Sequence, residues 1–191
     1  MNESTLLHKL TGNISEKNAV RLLVDAGVCI NAVEKVNGET PLITAARRNQ
    51  LMDPTLFQEF NADFERQDLQ GNTALHWACD SRCMKDKHVD IWLSFADPTI
   101  LNKAGRPAAS NFPWGNGGQV NALPKMVKLG LCLESRDYLG RTLLLQFLDH
   151  DYLQGYEHFV KTLLSLGADV KATDYQGKSS KLKLPKLEIL H

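Results

Sequence analysis

Apolar residues fall along the chain in short stripes at helical spacing, and each stripe ends at a residue that can stop a helix. Ala19, Val20, Leu22 and Leu23 form one stripe, followed by Gly27, where a left-handed stop is expected. Leu42, Ala45 and Ala46 form the next, behind Thr40 as cap and Pro41 at the first helical position, where its missing N–H costs nothing. Leu56, Phe57 and Phe60 follow Asp53-Pro54, a second cap-and-proline start, and run into Asn61, which tolerates the left-handed region. The same alternation continues through Leu75 and Ala78, Val89 and Ile91, Met126 to Leu129 before Gly130, Leu143 to Leu145, and Phe159 to Leu164 before Gly167. The pattern predicts pairs of short helices separated by extended loops. Phe95 falls where a stop residue is due, and a bulky side chain is disfavoured there, so that helix end is expected to deviate.

A motif recurs on top of this pattern. Gly71-Asn72-Thr73-Ala74-Leu75-His76-Trp77-Ala78 reads G-x-T-x-L-H-x-A. Weaker copies begin at Thr5-Leu6-Leu7-His8, Gly38-Glu39-Thr40-Pro41-Leu42, Gly105-Arg106-Pro107-Ala108-Ala109 and Gly140-Arg141-Thr142-Leu143-Leu144, with a truncated copy at Gly177-Lys178-Ser179. The glycines at 38, 71, 105, 140 and 177 are spaced by 33, 34, 35 and 37 residues.

A period near 33 with this signature resembles the ankyrin repeats, from about Thr5 to about Ser180. The resemblance implies an all-α solenoid, each unit being a helix, a tight turn, a second helix and a hairpin-like loop. The units are expected at about 4–38, 39–71, 72–105, 106–140 and 141–177 of a single domain spanning 1–191, with a lysine-rich capping or partial segment at 178–191. The fourth unit is irregular: Pro113 and Gly115-Asn116-Gly117-Gly118 stop its first helix early, so a short helix and a loop displaying Phe112 and Trp114 are expected. A longer segment around Asp149 to Tyr156 separates the helices of the fifth unit.

Charge changes the picture little. The 22 basic and 22 acidic residues cancel, so neither nucleic acid nor an anionic membrane is favoured as partner. No apolar stretch reaches the roughly 18 residues needed to span a membrane. The N-terminus lacks a basic region followed by an apolar run, which argues against a signal peptide. Cys29, Cys79, Cys83 and Cys132 form no C-x-x-C. The expectation is a cytoplasmic or nuclear protein, monomeric alone, with free thiols in a reducing compartment.

Four features invite chemistry. His8 and His76 lie in the T-x-L-H motif, but in the family that histidine resembles a structural element that bonds at the helix start and ties adjacent units. His76, Cys79 and Cys83 share a helical face and could offer zinc ligands, with Asp80 or His88 to be recruited as a fourth, yet Cys79 sits at a small-residue core position and no fourth ligand stands in the pattern itself. The Gly115 to Gly118 run lacks the lysine and preceding strand of a phosphate loop. Asn31 resembles the asparagine hydroxylated in some ankyrin proteins, although Cys29 replaces the usual acidic residue. The reading therefore assigns no catalytic, cofactor or metal residues and no enzymatic activity.

The resemblance instead implies a partner protein bound on the concave face. Leu69, Tyr138, Leu139 and Tyr175 stand at the hairpin tips, where apolar side chains are candidates for contact. The first-helix ends supply Arg47 and Arg48, Arg82, Phe112 and Trp114, and Asp149, a graded groove from basic through aromatic to acidic. Two other settings accommodate the same pattern: an ankyrin-type effector of an intracellular pathogen acting in host cytoplasm, and a targeting module of a larger enzyme.

Overall fold

The computed structural model describes residues 5–10, 17–48, 54–80, 86–112, 121–148 and 157–179. These residues form nine α-helices and one 3-10 turn, arranged as successive pairs. The first members of the pairs are α1 (Leu6–Leu10), α3 (Pro41–Arg47), α5 (Ala74–Cys79), the 3-10 turn Ala108–Asn111 and α8 (Leu143–Leu148). The second members are α2 (Lys17–Asp25), α4 (Thr55–Glu59), α6 (Asp86–Leu93), α7 (Ala122–Lys128) and α9 (Glu157–Ser165). No helix among them is long and apolar enough to cross a membrane.

Each α-helix has only five to nine residues, below the length that is stable alone in water, so packing must hold them. One apolar cluster runs the length of the array, from Leu7 through Leu42, Ile43, Leu75, Val89, Trp92, Leu123 and Leu144 to Val160 and Leu163. The first helices stack: α1 on α3, α3 on α5, α5 on the 3-10 turn. Ala45, Ala46, Ala78, Ala108 and Ala109 are all buried, and their short side chains let these elements approach closely. Between the second and third units the packing uses rings, with Phe64, in the loop after α4, edge-on to Trp92 of α6 at 6.0 Å and tilted on Phe95, just past the end of α6, at 5.6 Å.

Local chemistry sets the helix ends. Thr40 caps α3, its hydroxyl accepting from Ile43 N–H at 3.3 Å, with Pro41 at the first position. Pro54 stands one place earlier than the sequence pattern implies: it is the cap of α4, not its first residue, and its carbonyl receives the Phe57 and Gln58 N–H groups. Gly27, Asn61, Gly130 and Gly167 all adopt positive φ, and in each case the next N–H reaches back five residues (Val28 to Leu23, Ala62 to Phe57, Leu131 to Met126, Ala168 to Leu163). The third unit departs as expected. Phe95 does not enter the left-handed region, and Ala96 N–H bonds instead to Trp92 four residues back.

Two expectations about apolar positions are corrected. Phe112, expected on display after the short first helix of the fourth unit, is 1% exposed and belongs to the core. The 3-10 turn ends one residue before it, and the ring joins the continuous apolar core, where burying it removes a large apolar area from water. Leu22, counted in the apolar stripe of α2, is 69% exposed, while Val20 on the same helix is buried. The short first helix itself is present, as the 3-10 turn.

Candidate partner-binding face

The hairpins that join the units are built by one repeated device. Asp68 Oδ1 accepts the N–H groups of Gln70 and Asn72, both at 2.8 Å. Asn102, Asp137 and Asp174 do the same two and four residues ahead. The first hairpin uses Glu34 and is one residue longer: Gly38 N–H returns to a carbonyl four residues back, where Gly71, Gly105, Gly140 and Gly177 return three. Burial alone would raise the Glu34 pKa, but the N–H groups of Asn37, Val36 and Glu39 lower it below the usual value.

Successive hairpins are then tied edge to edge. Leu69 N–H donates to Asn37 C=O at 2.8 Å, Lys103 to Gln70 at 3.0 Å, Tyr138 to Ala104 at 3.0 Å and Tyr175 to Leu139 at 3.1 Å. This ladder explains the linker glycines that a following hairpin approaches. A Cβ on Gly71, whose φ is +81°, would stand 2.5 Å from the Lys103 nitrogen, and one on Gly105 would stand 2.6 Å from the Arg136 carbonyl oxygen.

The ladder carries the apolar tip residues in register. Leu69 is 57% exposed, Tyr138 65%, Leu139 39% and Tyr175 73%. Val36 joins them on the first tip. Tyr138 is steadied by the Arg106 guanidinium, 5.8 Å from its ring centre. Arg106 and Arg141 both pair with Asp137, at 3.2 and 2.8 Å. Burial pushes the Asp137 pKa up, but the Arg141 side chain and the Arg141 and Leu139 N–H groups outweigh it and hold the carboxyl below its ordinary value.

Beside the first two tips lies a recess of about 230 Å³, lined by Val36, Asn37, Glu39, Arg47, Asp68, Leu69, Gln70 and Trp77. Its floor is polar and ordered. Glu39 binds the Arg47 fork, with Nε 2.6 Å from Oε1 and Nη2 3.2 Å from Oε2, and takes the Thr44 hydroxyl at 3.0 Å. The Trp77 indole N–H donates to Asp68 Oδ2 at 2.8 Å. Sequence spacing placed Arg47 and Leu69 on this side but missed Trp77 and Glu39. Both occupy the variable positions of the motif, after the histidine and after the linker glycine, and those positions turned toward the hairpins are the signal that would have found them.

The remaining predicted contacts divide. Arg48 donates to the His8 carbonyl at 3.1 Å and so holds the end of α1. Phe112 is buried and supplies no surface. Arg82, Trp114 and Asp149 lie outside the described residues, so the graded groove is defined only at its Arg47 end.

The histidines are structural, as the motif implies. Thr73 N–H donates to His76 Nδ1 at 3.2 Å, and Nε2 lies 3.1 Å from the Arg106 carbonyl of the next unit. That pattern places the proton on Nε2, which donates across the unit boundary. Burial lowers the His76 pKa against the opposing pull of that carbonyl. His8 repeats the arrangement with Thr5 and the Glu39 carbonyl. Cys79 is fully buried, and burial drives its thiol far above the ordinary pKa, so it offers neither a nucleophile nor a ready metal ligand. Cys83 lies outside the described residues. Among the described residues no group of three potential ligands is close enough to hold a metal. Asn31 uses its amide between units, donating to the Asn61 carbonyl at 3.2 Å and accepting Asp63 N–H at 2.8 Å.

Stacked helix pairs tied through capping histidines, with a ladder of hairpins along one edge, define a repeat solenoid. Residues 7–100 match the family model for ankyrin repeats, in three copies, and the chain carries the ankyrin-repeat fold. The fourth and fifth units lie beyond that match and carry the same fold. Among solved structures the chain is similar to the crystal structure of the ankyrin repeat domain of Bcl-3, described as a unique member of the IkappaB protein family, with 23% identity, 97% of this chain and 82% of that chain covered, and a TM-score of 0.73. At that identity the likeness concerns the fold. No curated protein matches the sequence. Ankyrin repeats are generally protein–protein interaction modules and typically non-catalytic.

Proposed function

We propose that this array binds a partner protein along its hairpin edge, with Leu69, Tyr138, Leu139 and Tyr175 as principal contacts and Arg47 at the adjoining recess. One observation carries the reading. Of the ten large apolar side chains exposed among the described residues, five (Val36, Leu69, Tyr138, Leu139 and Tyr175) stand on the hairpin tips. Single exposed apolar residues are ordinary on any surface, whereas a row held in register by backbone bonds is a preorganised contact strip. A rigid strip loses little conformational entropy on binding, so its apolar area converts into affinity with small loss. Arg82, Trp114 and Asp149 extend the surface in this proposal on the strength of the sequence pattern alone.

The test is affinity capture with the wild type beside a Tyr138→Ala/Tyr175→Ala variant. The variant is expected to lose the captured partner while its melting temperature moves by no more than about 2 °C, since exposed substitutions cost within about 0.5 kcal/mol. Retention of the same partner by the variant would count against the hairpin edge. A collapse in melting temperature would make the tyrosines core residues.

A further inference from the structure

The recess between the first two hairpins has a chemistry of its own. Its volume of about 230 Å³ falls below the roughly 300–1,000 Å³ of small-molecule sites and suits a single side chain. Two carboxylates, Glu39 and Asp68, line it against one guanidinium, Arg47, leaving a formal excess of one negative charge. Arg47 does not offer its fork outward, because both of its bonded nitrogens are turned onto Glu39. Trp77 forms one wall. Its N–H is bonded to the Asp68 carboxylate, which fixes the ring and draws electron density onto its face. Val36 and Leu69, both more than half exposed, make an apolar rim.

We propose that this recess receives the cationic side chain of a lysine or arginine from the partner protein. The proposal rests on the partner-binding reading above and names what enters one part of that surface. The aliphatic stem crosses the Val36–Leu69 rim while the charged head meets the indole face and the uncompensated carboxylate. An anionic side chain would meet net repulsion and would have to prise Arg47 from Glu39. A purely apolar one would bury the carboxylates without adding a counter-charge, which is costly.

The test uses the full chain, 15N-labelled, and four probes: the Nα-acetyl methylamides of arginine, lysine, norleucine and glutamate. Each is titrated to about 50 mM, because one side chain alone binds in the millimolar range. The readout is the indole N–H signal of Trp77, one of three tryptophans, assigned with Trp77→Phe. Arginine and lysine are expected to shift it saturably, and norleucine and glutamate to leave it in place. Arg47→Gln removes the competing cation and is expected to tighten the arginine probe roughly three- to tenfold. Leu69→Lys and Leu69→Glu, at an exposed position, are expected to weaken and tighten it respectively. A shift with glutamate, an equal shift with norleucine, weakening by Arg47→Gln, or no shift with any probe would each overturn the proposal. Loss of capture by the Tyr138/Tyr175 variant together with a silent Trp77 would leave the hairpin edge standing and remove only this subsite.

Discussion

Replacing Leu75 with Ala probes the stack at its centre. The side chain is fully buried in α5, which packs against α3 on one side and the 3-10 turn on the other. Three carbons are lost, and at about 0.8 kcal/mol per buried methylene the transfer contribution is about 2.4 kcal/mol. A void that does not collapse adds about 24 cal/mol per Å³, or about 1–2 kcal/mol for a cavity of roughly 40–80 Å³. Collapse should be limited, because the flanking elements meet through Ala45, Ala46, Ala108 and Ala109, whose side chains cannot reach into the gap. The expected loss is therefore about 3–4.5 kcal/mol. Urea denaturation followed by far-UV circular dichroism and by tryptophan fluorescence would measure it, with the midpoint falling in both signals. In a linear array a weakened central unit also uncouples its two sides, so the two signals should cease to coincide. A loss below about 1 kcal/mol with coincident transitions would refute the stacked register.

Three further substitutions separate other parts of the argument. Gly71→Ala should destabilise by about 1–3 kcal/mol and by more than Gly27→Ala, because both have positive φ but only Gly71 has a neighbouring backbone nitrogen, 2.5 Å from the added carbon; equal shifts in thermal melts would remove the close-approach explanation. Phe112→Ala should cost about 3–5 kcal/mol as a core truncation, against about 0.5 kcal/mol or less for a displayed ring. His76 has a lowered pKa in the fold, so the unfolded chain takes up its proton first. Its contribution is complete above the unfolded value of about 6.5 and is lost as pH falls from there toward the folded value. His76→Gln should flatten the pH dependence of stability in that window, and an unchanged profile would mean that His76 does not stay neutral in the folded protein.

Much of the architecture was legible in the chain itself, because each unit solves its local problems with residues a few positions apart. Thr40 and Pro41 start α3, Asn61 ends α4, and Asp68 closes its hairpin through bonds to residues 70 and 72. The deviation at Phe95 was legible for the same reason: its backbone preference is a property of the residue. The histidine bridges were readable from the motif, since His76 bonds to Thr73 three residues away and the repeat period brings the Arg106 carbonyl to its other nitrogen.

What the sequence could not decide is which side of a short element faces the core. Trp77 lies within α5 and Phe112 just after the 3-10 turn of the next unit, yet the ring of Phe112 is sealed inside and that of Trp77 lines a recess, because their orientation depends on what the adjacent units leave uncovered. The exposure of the tips was foreseen, but their joining into a ladder, and the meeting of Glu39, Arg47, Asp68 and Trp77, arise only when units stack. Periodicity determined the solenoid by fixing where each chain segment turns. Tertiary packing alone decided its surface, because a side chain's neighbours in that surface come from units about 30 residues away.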